Sequence, residues 1–272
     1  MKNLLTVLIF FGLLKLDAQN DLKILETNPL SIGESIRFHS NSLNEDRRIN
    51  VYLPHRYASD STKTYPVIYL LDGSIDEDFI HIAGLVQFGS FSWINMLPES
   101  IVVGISNVDR RRDFTYPTSI AQDKKDFPTS GKSENFISYI ENDLIPFINS
   151  KYRVQETRTI IGQSLGGLLA TEVLFKKPDV FDNYIIVSPS LWWDNQSLLQ
   201  LKPKSYTSKK KIYVAVGKEG EIMERDAKSL YDALKTNAKE NTEVHFKFLE
   251  EQDHGDALHL AVYAAFEALF KK

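Results

Sequence analysis

The sequence contains no cysteine among its 272 residues. Disulfide bridges, thiolate zinc sites, iron–sulfur clusters and a cysteine nucleophile are therefore excluded, and covalent catalysis must use a serine, threonine, lysine or carboxylate. The chain also lacks an excess of positive charge, because 32 Lys and Arg residues stand against 36 Asp and Glu residues, for a net charge of −4. A nucleic-acid partner is therefore not expected.

The chain has no hydrophobic run long enough to cross a bilayer, which takes about 20 residues of helix. The longest apolar run, Leu4 to Leu14, follows the positive charge of Lys2 and precedes the small Ala18. This pattern predicts a signal peptide over residues 1–18, and an uncleaved anchor or a buried N-terminal helix is the alternative. We therefore expect a secreted or periplasmic protein, with no stable membrane insertion after cleavage and one folded domain over residues 19–272.

Hydrophobic residues make up 43% of the chain and charged residues 25%, which is typical of a globular protein with a packed core. Short apolar runs that predict strands alternate with apolar stripes at helical spacing. The predicted strands include Ile49–Leu53, Tyr65–Leu71, Ile101–Ile105, Thr159–Ile161, Tyr184–Val187, Ile212–Val216 and Val244–Leu249. The predicted helices run through Phe136–Phe147, where Pro146 ends or kinks the segment, Met223–Ala238 and Leu258–Leu269. This alternation predicts an α/β fold with a mainly parallel central sheet and helices on both faces.

The motif G-x-S-x-G occurs at Gly162–Gly166, between a short apolar strand and an amphipathic segment. In a tight strand-to-helix turn, the residues on either side of the serine must have almost no side chain, as Gly162 and Gly166 do. The turn then directs the Ser164 hydroxyl outward as a nucleophile. It also places the Leu165 N–H at a helix N-terminus, where it can stabilise an oxyanion. The alternative is a glycine-rich helix entry with an incidental serine.

A serine nucleophile needs a base to remove its proton. In α/β folds with this serine motif, the histidine usually follows the serine and the acid along the chain. His254 lies in the loop between the last predicted strand and the last predicted helix, which makes it the first candidate. The other histidines have weaker contexts: His39, His55, His81, His245 and His259.

The carboxylate that orients the base should follow the strand Ile212–Val216. Glu219 is the first candidate, and Glu221, Asp226 and Asp194 remain as alternatives, since each could instead be a solvated carboxylate that caps a helix. The second oxyanion donor should come from the loop after Leu71, where Gly73 permits close approach and the N–H of Ser74 or Ile75 is the expected donor.

These motifs resemble the esterase family of α/β hydrolases that includes enterochelin (ferric siderophore) esterases, S-formylglutathione hydrolase, feruloyl esterases and mycolyltransferases. The resemblance extends from about Ser31 to Phe270, and the siderophore-esterase branch is the most similar. It rests on Tyr65–Gly73, Val102–Ile105, Arg112–Thr115, Leu144–Ile148, Gly162–Gly167 and Ser188–Trp193. The resemblance implies an α/β-hydrolase fold, with Ser164 as nucleophile, His254 as base and Glu219 as acid. One departure is Tyr116, which separates Thr115 from Pro117 where related chains commonly run from Thr directly to Pro.

Two further features suggest substrate contacts. Trp192 and Trp193 could form an aromatic wall, although at least one is expected in the core, and Arg110–Arg112 could attract an anion, with only Arg112 fitting the family pattern. We therefore expect a secreted serine hydrolase that cleaves a small-molecule carboxylic ester through an acyl-enzyme, with a siderophore-type ester as one candidate and no cofactor or metal. An acyltransferase with the same triad and a non-catalytic binding module on this scaffold are the alternatives, and the oligomeric state is left open.

Overall fold

The computed structural model of the protein describes residues 23–271. The chain divides into two compact units, Met1–Ser31 and Ile32–Lys272. Residues 23–31 of the first unit contain neither helix nor strand. The predicted signal peptide, residues 1–18, lies outside the described residues, and the single domain over residues 19–272 stays a prediction.

The second unit is built on an eight-stranded sheet in the order β1-β2-β4-β3-β5-β6-β7-β8. The strands are β1 (Glu34–Ser40), β2 (Glu45–Tyr52), β3 (Tyr65–Leu70), β4 (Ile101–Ile105), β5 (Val154–Gln163), β6 (Asn183–Val187), β7 (Lys210–Gly217) and β8 (Thr242–Leu249). Strands β1 and β2 pair antiparallel, β2 also pairs antiparallel with β4, and every other pair is parallel. The predicted mainly parallel α/β sheet is confirmed.

The central strands are apolar on both faces because helices cover both faces of the sheet. In β3, Val67 and Tyr69 belong to one core cluster, whereas Ile68 and Leu70 belong to the cluster on the other face. All six residues of β3 are buried. A continuous apolar run is therefore the expected sequence of such a strand, because alternate side chains enter two different cores.

Eight α-helices accompany the strands within residues 23–271. They are α1 (Phe79–Gly89), α2 (Arg110–Phe114), α3 (Ala121–Asp126), α4 (Ser133–Tyr139), α5 (Ile145–Lys151), α6 (Leu165–Lys176), α7 (Glu221–Thr236) and α8 (Ala257–Phe270). A π-helical turn, Ile140–Leu144, joins α4 to α5, and Pro146 lies in the first turn of α5. Pro146 therefore does not end the helical stretch. Its missing N–H lies next to the π-helical turn, where the α-helical hydrogen-bond pattern is already interrupted.

The parallel register brings the ends of several strands to one edge of the sheet. Gln163 of β5 pairs with Val187 of β6, and Val187 pairs with Ala215 of β7. Because the chain enters a loop after each of these strands, the loops after β3, β5, β6, β7 and β8 gather at this edge. Ligand sites of open parallel sheets occupy this carboxyl edge.

Within residues 23–271 no helix is both long and apolar enough to span a membrane. No group of three or more His, Asp or Glu side chains in the same range is arranged to hold a metal ion.

Candidate active site

The turn between β5 and α6 holds Ser164 in a strained backbone conformation. Its φ is 60° and its ψ is −122°, a combination that non-glycine residues rarely adopt. The Ser164 N–H donates to the Val187 carbonyl at 3.1 Å, and the Ser164 carbonyl accepts from the Leu168 N–H at 2.9 Å. A Cβ at Gly162 would lie 2.4 Å from the Gly166 carbonyl oxygen, so only glycine fits there. The surroundings thus hold the serine in the strained geometry that exposes its hydroxyl.

The loop after β6 contacts Ser164 from the side. Ser164 Oγ lies 3.3 Å from Ser190 Oγ, and the Ser190 N–H donates to the Ser164 carbonyl at 3.0 Å. Ser190 is 2% exposed. Between residues 23 and 271 no hydrogen bond joins Ser164 to His254, so the serine hydroxyl is paired with Ser190 in this resting geometry.

A carboxylate–imidazole pair lies beside this turn. His254 Nδ1 lies 2.5 Å from Glu219 Oε2. The Glu219 side chain is 2% exposed, whereas that of His254 is 49% exposed. No described residue bonds to His254 Nε2, so this nitrogen is available to a neighbouring hydroxyl or to a substrate. The Gln163 side chain donates to the His254 carbonyl at 2.7 Å, which fixes the histidine loop next to the residue that precedes Ser164.

Glu219 is held by three donors. Besides His254, the Ser188 hydroxyl and the Gly217 N–H donate to its Oε1 atom, the latter at 2.9 Å. Ser188 is fully buried and has a φ of 44°. Burial alone would raise the pKa of Glu219, but the hydrogen bonds from His254, Ser188 and Gly217 outweigh it and lower that pKa. Glu219 therefore stays ionised and can fix the imidazole tautomer.

The other candidate carboxylates do not contact His254. Glu221 is exposed, and Asp226 is buried and accepts from Arg225. Asp194 accepts from Thr118 and from Ser119. Of the four carboxylates considered, the structure brings only Glu219 to the histidine.

The pKa of His254 is raised above its ordinary value of 6.5. The hydrogen bond with Glu219 is the main cause, and partial burial and the nearby Arg110 charge oppose it. The imidazole is thus made a stronger base by its carboxylate partner, as a general base requires.

The predicted oxyanion donors have different surroundings. Leu165 is the first residue of α6, so its N–H belongs to the first turn, where the N–H groups have no carbonyl partner within the helix. The Ser74 N–H instead donates to Glu77 Oε2 at 3.3 Å, and Asn107 holds the same carboxylate. In this structure the Ser74 N–H is thus bonded to Glu77, and the assignments of Ser74, Ile75 and Leu165 as oxyanion donors stay predictions.

Gly73 has a structural role, and its predicted substrate contact stays a prediction. Its N–H donates to the Ile105 carbonyl at 2.9 Å, and a Cβ there would lie 2.3 Å from Gly104 Cα. The glycine is therefore required because the loop crosses directly over β4.

Arg112 does not reach the site as predicted. Its guanidinium donates to Glu45 at 2.6 and 2.9 Å and to Asp113 at 2.7 Å, so its donors are occupied by carboxylates. Arg110 is the arginine that approaches the Ser164 turn, since its Nη2 atom donates to the Gln163 carbonyl at 3.2 Å. The same guanidinium binds Asp72 through Nε at 2.6 Å and Nη2 at 2.9 Å.

The two tryptophans differ in exposure. Trp193 is fully buried and its ring N–H donates to the Tyr116 carbonyl at 2.9 Å, so its predicted substrate contact is corrected to a core position. Trp192 is partly buried and packs against Phe127, with ring centroids 6.1 Å apart. Substrate contact by Trp192 stays a prediction.

Three residues of the site, Asp72, Ser188 and Ser190, were not singled out as functional from the sequence, and Arg110 was considered only as part of the run Arg110–Arg112. Arg110 and Asp72 follow neighbouring strands, and Ser188 and Ser190 follow β6 directly. Their positions just past strand ends were the available signal, because parallel strands end at a common edge. What the sequence did not show was which side chains turn toward Ser164.

The chain is similar to known esterases over most of its length. Residues 40–270 match the family described as "Putative esterase". A ferri-bacillibactin esterase of Bacillus subtilis is 30% identical over 256 residues, which cover 86% of this chain and 88% of that protein. A siderophore triacetylfusarinine C esterase of Aspergillus fumigatus is 29% identical over 196 residues, 68% of this chain and 65% of that protein.

A solved structure agrees with the sequence comparisons. An IroE-like serine hydrolase from Shewanella oneidensis superposes with a TM-score of 0.78 at 28% identity, over 88% of this chain and 80% of that one. The α/β-hydrolase fold and the resemblance predicted from the sequence motifs are therefore confirmed. The chain belongs to the esterase family, whose reaction is ester hydrolysis.

Proposed function

We propose that the protein is a serine esterase that works through an acyl-enzyme. The observation that carries the proposal is the Glu219–His254 pair, whose histidine loop is bonded to Gln163, the residue before the strained Ser164. His254 accepts the Ser164 proton while Oγ forms a bond to the substrate carbonyl carbon. The Leu165 N–H then stabilises the carbonyl oxygen as it becomes negative.

Breakdown of this intermediate releases the alcohol. His254 returns the proton to the leaving alcohol oxygen as its bond to carbon breaks, which leaves an acyl group on Ser164. A water then gives its proton to His254 and attacks the acyl carbon, and the acid product departs as Ser164 regains a proton. Before the first step the serine hydroxyl must turn from Ser190 toward His254, and catalytic hydrogen bonds often tighten in this way only when substrate is bound.

The substrate class we propose is a siderophore-type ester. Its support is the similarity to a ferri-bacillibactin esterase and to a siderophore triacetylfusarinine C esterase. We also propose export across the membrane, supported by the apolar run and the small residue within residues 1–18.

A fluorophosphonate probe and a simple aryl ester test the serine mechanism. We expect the probe to label the wild-type protein at Ser164, and Ser164→Ala to lose labelling and about 10⁶-fold in kcat. Ser205→Ala, at an exposed serine that precedes β7, is the matched control and should behave as the wild type. Normal aryl-ester cleavage by Ser164→Ala would contradict the mechanism, and absence of labelling in the wild type would favour a non-catalytic module.

A further inference from the structure

The loop that carries His254 lies at the surface of the protein. It runs over residues 250–256, between β8 and α8, and all of its residues are exposed except the partly buried Gln252. Its ends are fixed, because Leu249 and Ala257 on either side are buried. Since little of the loop is packed in the core, the position of His254 depends on the hydrogen bonds that the loop makes to neighbouring elements.

Within residues 23–271, three hydrogen bonds connect this loop to β5 and to the segment after β7. The Lys218 N–H donates to the Gln252 carbonyl at 2.6 Å, and Glu219 bonds to the His254 ring. Both of these bonds come from the segment after β7. The third comes from β5, where Gln163 Nε2 donates to the His254 carbonyl at 2.7 Å. In the described part of the chain, this is the only hydrogen bond between the loop and the strand that leads to Ser164.

His254 is thus held at two points, its ring Nδ1 and its main-chain carbonyl. A ring that is held at Nδ1 alone can still pivot about that atom, so the bond to Glu219 does not by itself fix the direction of Nε2. The second point, at the carbonyl, removes this freedom. Because Gln163 directly precedes Ser164 in the chain, that second point also relates the imidazole to the serine turn.

Gln163 can serve as a fixed point because its own main chain is held on both sides. It pairs with Val187 of β6 in the parallel ladder. Its carbonyl accepts from Arg110 Nη2 at 3.2 Å, and the Arg110 guanidinium is in turn bonded to Asp72 at 2.6 and 2.9 Å. The side chain of Gln163 is half-buried. Its amide therefore extends to the histidine loop from a rigid strand end.

The position of the imidazole matters because the serine hydroxyl is not yet bonded to it. In the resting geometry Ser164 Oγ lies 3.3 Å from Ser190 Oγ. Proton transfer requires His254 Nε2 to come within hydrogen-bond distance of Ser164 Oγ when the substrate is bound. A misplacement of about 1 Å between reacting groups can cost about 10²-fold in rate.

We infer that Gln163 is a positioning residue of the esterase reaction, whose side-chain amide holds the His254 main chain so that Nε2 can reach Ser164 Oγ. This inference rests on the esterase function proposed above and adds a residue that acts through His254. The amide matters as a hydrogen-bond donor, so a side chain of similar length without a donor should not replace it.

Gln163→Met tests the inference, because methionine is about as long as glutamine and has no donor. We expect kcat for an aryl ester to fall about 10- to 100-fold. KM should stay close to the wild-type value, because His254 acts in both formation and breakdown of the acyl-enzyme and both steps should slow together. Gln163→Glu keeps the side-chain shape but replaces the donor by an acceptor. It should lose at least as much activity, and it repeats the test if Gln163→Met does not fold.

Gln155→Met is the matched control. Gln155 lies at the other end of the same strand, and its amide also donates to a main-chain carbonyl, that of Thr64 at 3.0 Å. The control therefore removes the same kind of hydrogen bond from β5 at a distance from His254, and it should keep the wild-type kcat. An equal loss in Gln155→Met and Gln163→Met would overturn the inference.

A double-mutant cycle shows whether Gln163 acts through His254. In a His254→Ala background, Gln163→Met should change the residual kcat/KM by less than about twofold. A fall as large as in the wild-type background would assign the loss to general damage of the Ser164 turn and overturn the inference. In Gln163→Met alone, NMR should still find the His254 pKa above 6.5, because the bond to Glu219 remains. A pKa at the ordinary 6.5 would show that the acid–base pair itself is broken and would contradict the assigned role.

The outcomes separate this inference from the proposed function. Wild-type kcat in both Gln163→Met and Gln163→Glu would overturn the positioning role and leave the esterase mechanism in place. If the wild-type protein does not cleave the aryl ester in a Ser164-dependent manner, the esterase proposal fails and the inference falls with it.

Discussion

Single side chains determine the chemistry available at the Ser164 turn. Glu219 is almost completely buried yet accepts three hydrogen bonds, so its negative charge is compensated without a lysine or arginine. Its partner His254 exposes about half of its side chain, which leaves the free ring nitrogen open to substrate. A buried carboxylate that orients a half-exposed imidazole is the arrangement that a general base needs.

Removal of the Glu219 charge should therefore slow catalysis strongly. Glu219→Gln keeps the side-chain size but loses the carboxylate that stabilises the imidazolium, and we expect kcat to fall about 10⁴-fold. Glu221→Gln, at an exposed carboxylate two residues away, should change kcat little. Steady-state hydrolysis of an aryl ester measures both variants, and equal rates for Glu219→Gln and wild type would remove Glu219 from the mechanism.

The raised pKa of His254 predicts how activity depends on pH. The base must be neutral, so kcat/KM should rise with pH through a midpoint above 6.5, the ordinary histidine value. In Glu219→Gln the main cause of the rise is lost, so the His254 pKa should fall. NMR titration of the His254 ring measures this pKa even where activity is low. A higher pKa in the variant would contradict the assigned cause.

Elements position these residues through close backbone contacts. The β5–α6 turn depends on Gly162, whose missing side chain lets the first turn of α6 approach the end of β5. The β3–α1 loop depends in the same way on Gly73, which crosses over Gly104 of β4. The Ser164 turn and the β3–α1 loop are thus each held by a close backbone contact that requires glycine.

Alanine substitution of Gly162, at the β5–α6 turn, and of Gly84, inside α1, should change the stability of the protein in opposite directions. Gly162→Ala would place a Cβ 2.4 Å from the Gly166 carbonyl oxygen, so we expect lower stability and a loss of esterase activity. Gly84→Ala, within α1 and with nothing within 4 Å of its added Cβ, should raise the free energy of unfolding by about 0.5–1 kcal/mol. Urea unfolding measures both changes. A Gly162→Ala protein as stable and active as the wild type would show that the turn tolerates a side chain.

At the scale of the whole sheet, a buried ion-pair network joins β2 to α2. The Arg47 side chain is fully buried and pairs with Asp113, itself 2% exposed, at 2.8 Å. Arg47 also pairs with Glu45, and Arg112 binds both carboxylates. The network connects the antiparallel edge of the sheet to α2, whose first residue, Arg110, reaches the Ser164 turn.

Breaking this network should destabilise the protein much more than breaking a surface pair. Arg47→Leu removes one of the two guanidinium partners of the buried Asp113, and we expect a loss of about 3–5 kcal/mol in the free energy of unfolding. Arg37→Leu removes a pair with Asp46 whose side chains are 66% and 45% exposed, and should cost less than about 1 kcal/mol. Thermal or urea unfolding distinguishes them, and equal losses would contradict the difference in burial.

Much of the fold could be predicted from local pattern. The central strands were found because both of their faces are buried, so their sequences are continuous apolar runs. Strand β1 was missed because it is an edge strand with mostly exposed residues and no such run. Helix α1 was missed although its buried residues recur at helical spacing, from Phe79 through Ile82 and Val86. Its exposed face carries apolar residues as well, such as Ile80 and Phe88, so the sequence shows no contrast between an apolar and a polar face.

The sequence by itself determined the α/β class, the strained serine turn and the order in which the candidate nucleophile, acid and base occur along the chain. These features depend on neighbours in sequence, through apolar periodicity and the glycines beside Ser164. Only the tertiary structure decided that Glu219 rather than Glu221 or Asp226 reaches His254, that Arg110 rather than Arg112 approaches the turn, and that Trp193 is buried. Those outcomes depend on where side chains from distant strands meet, which the local sequence pattern does not specify.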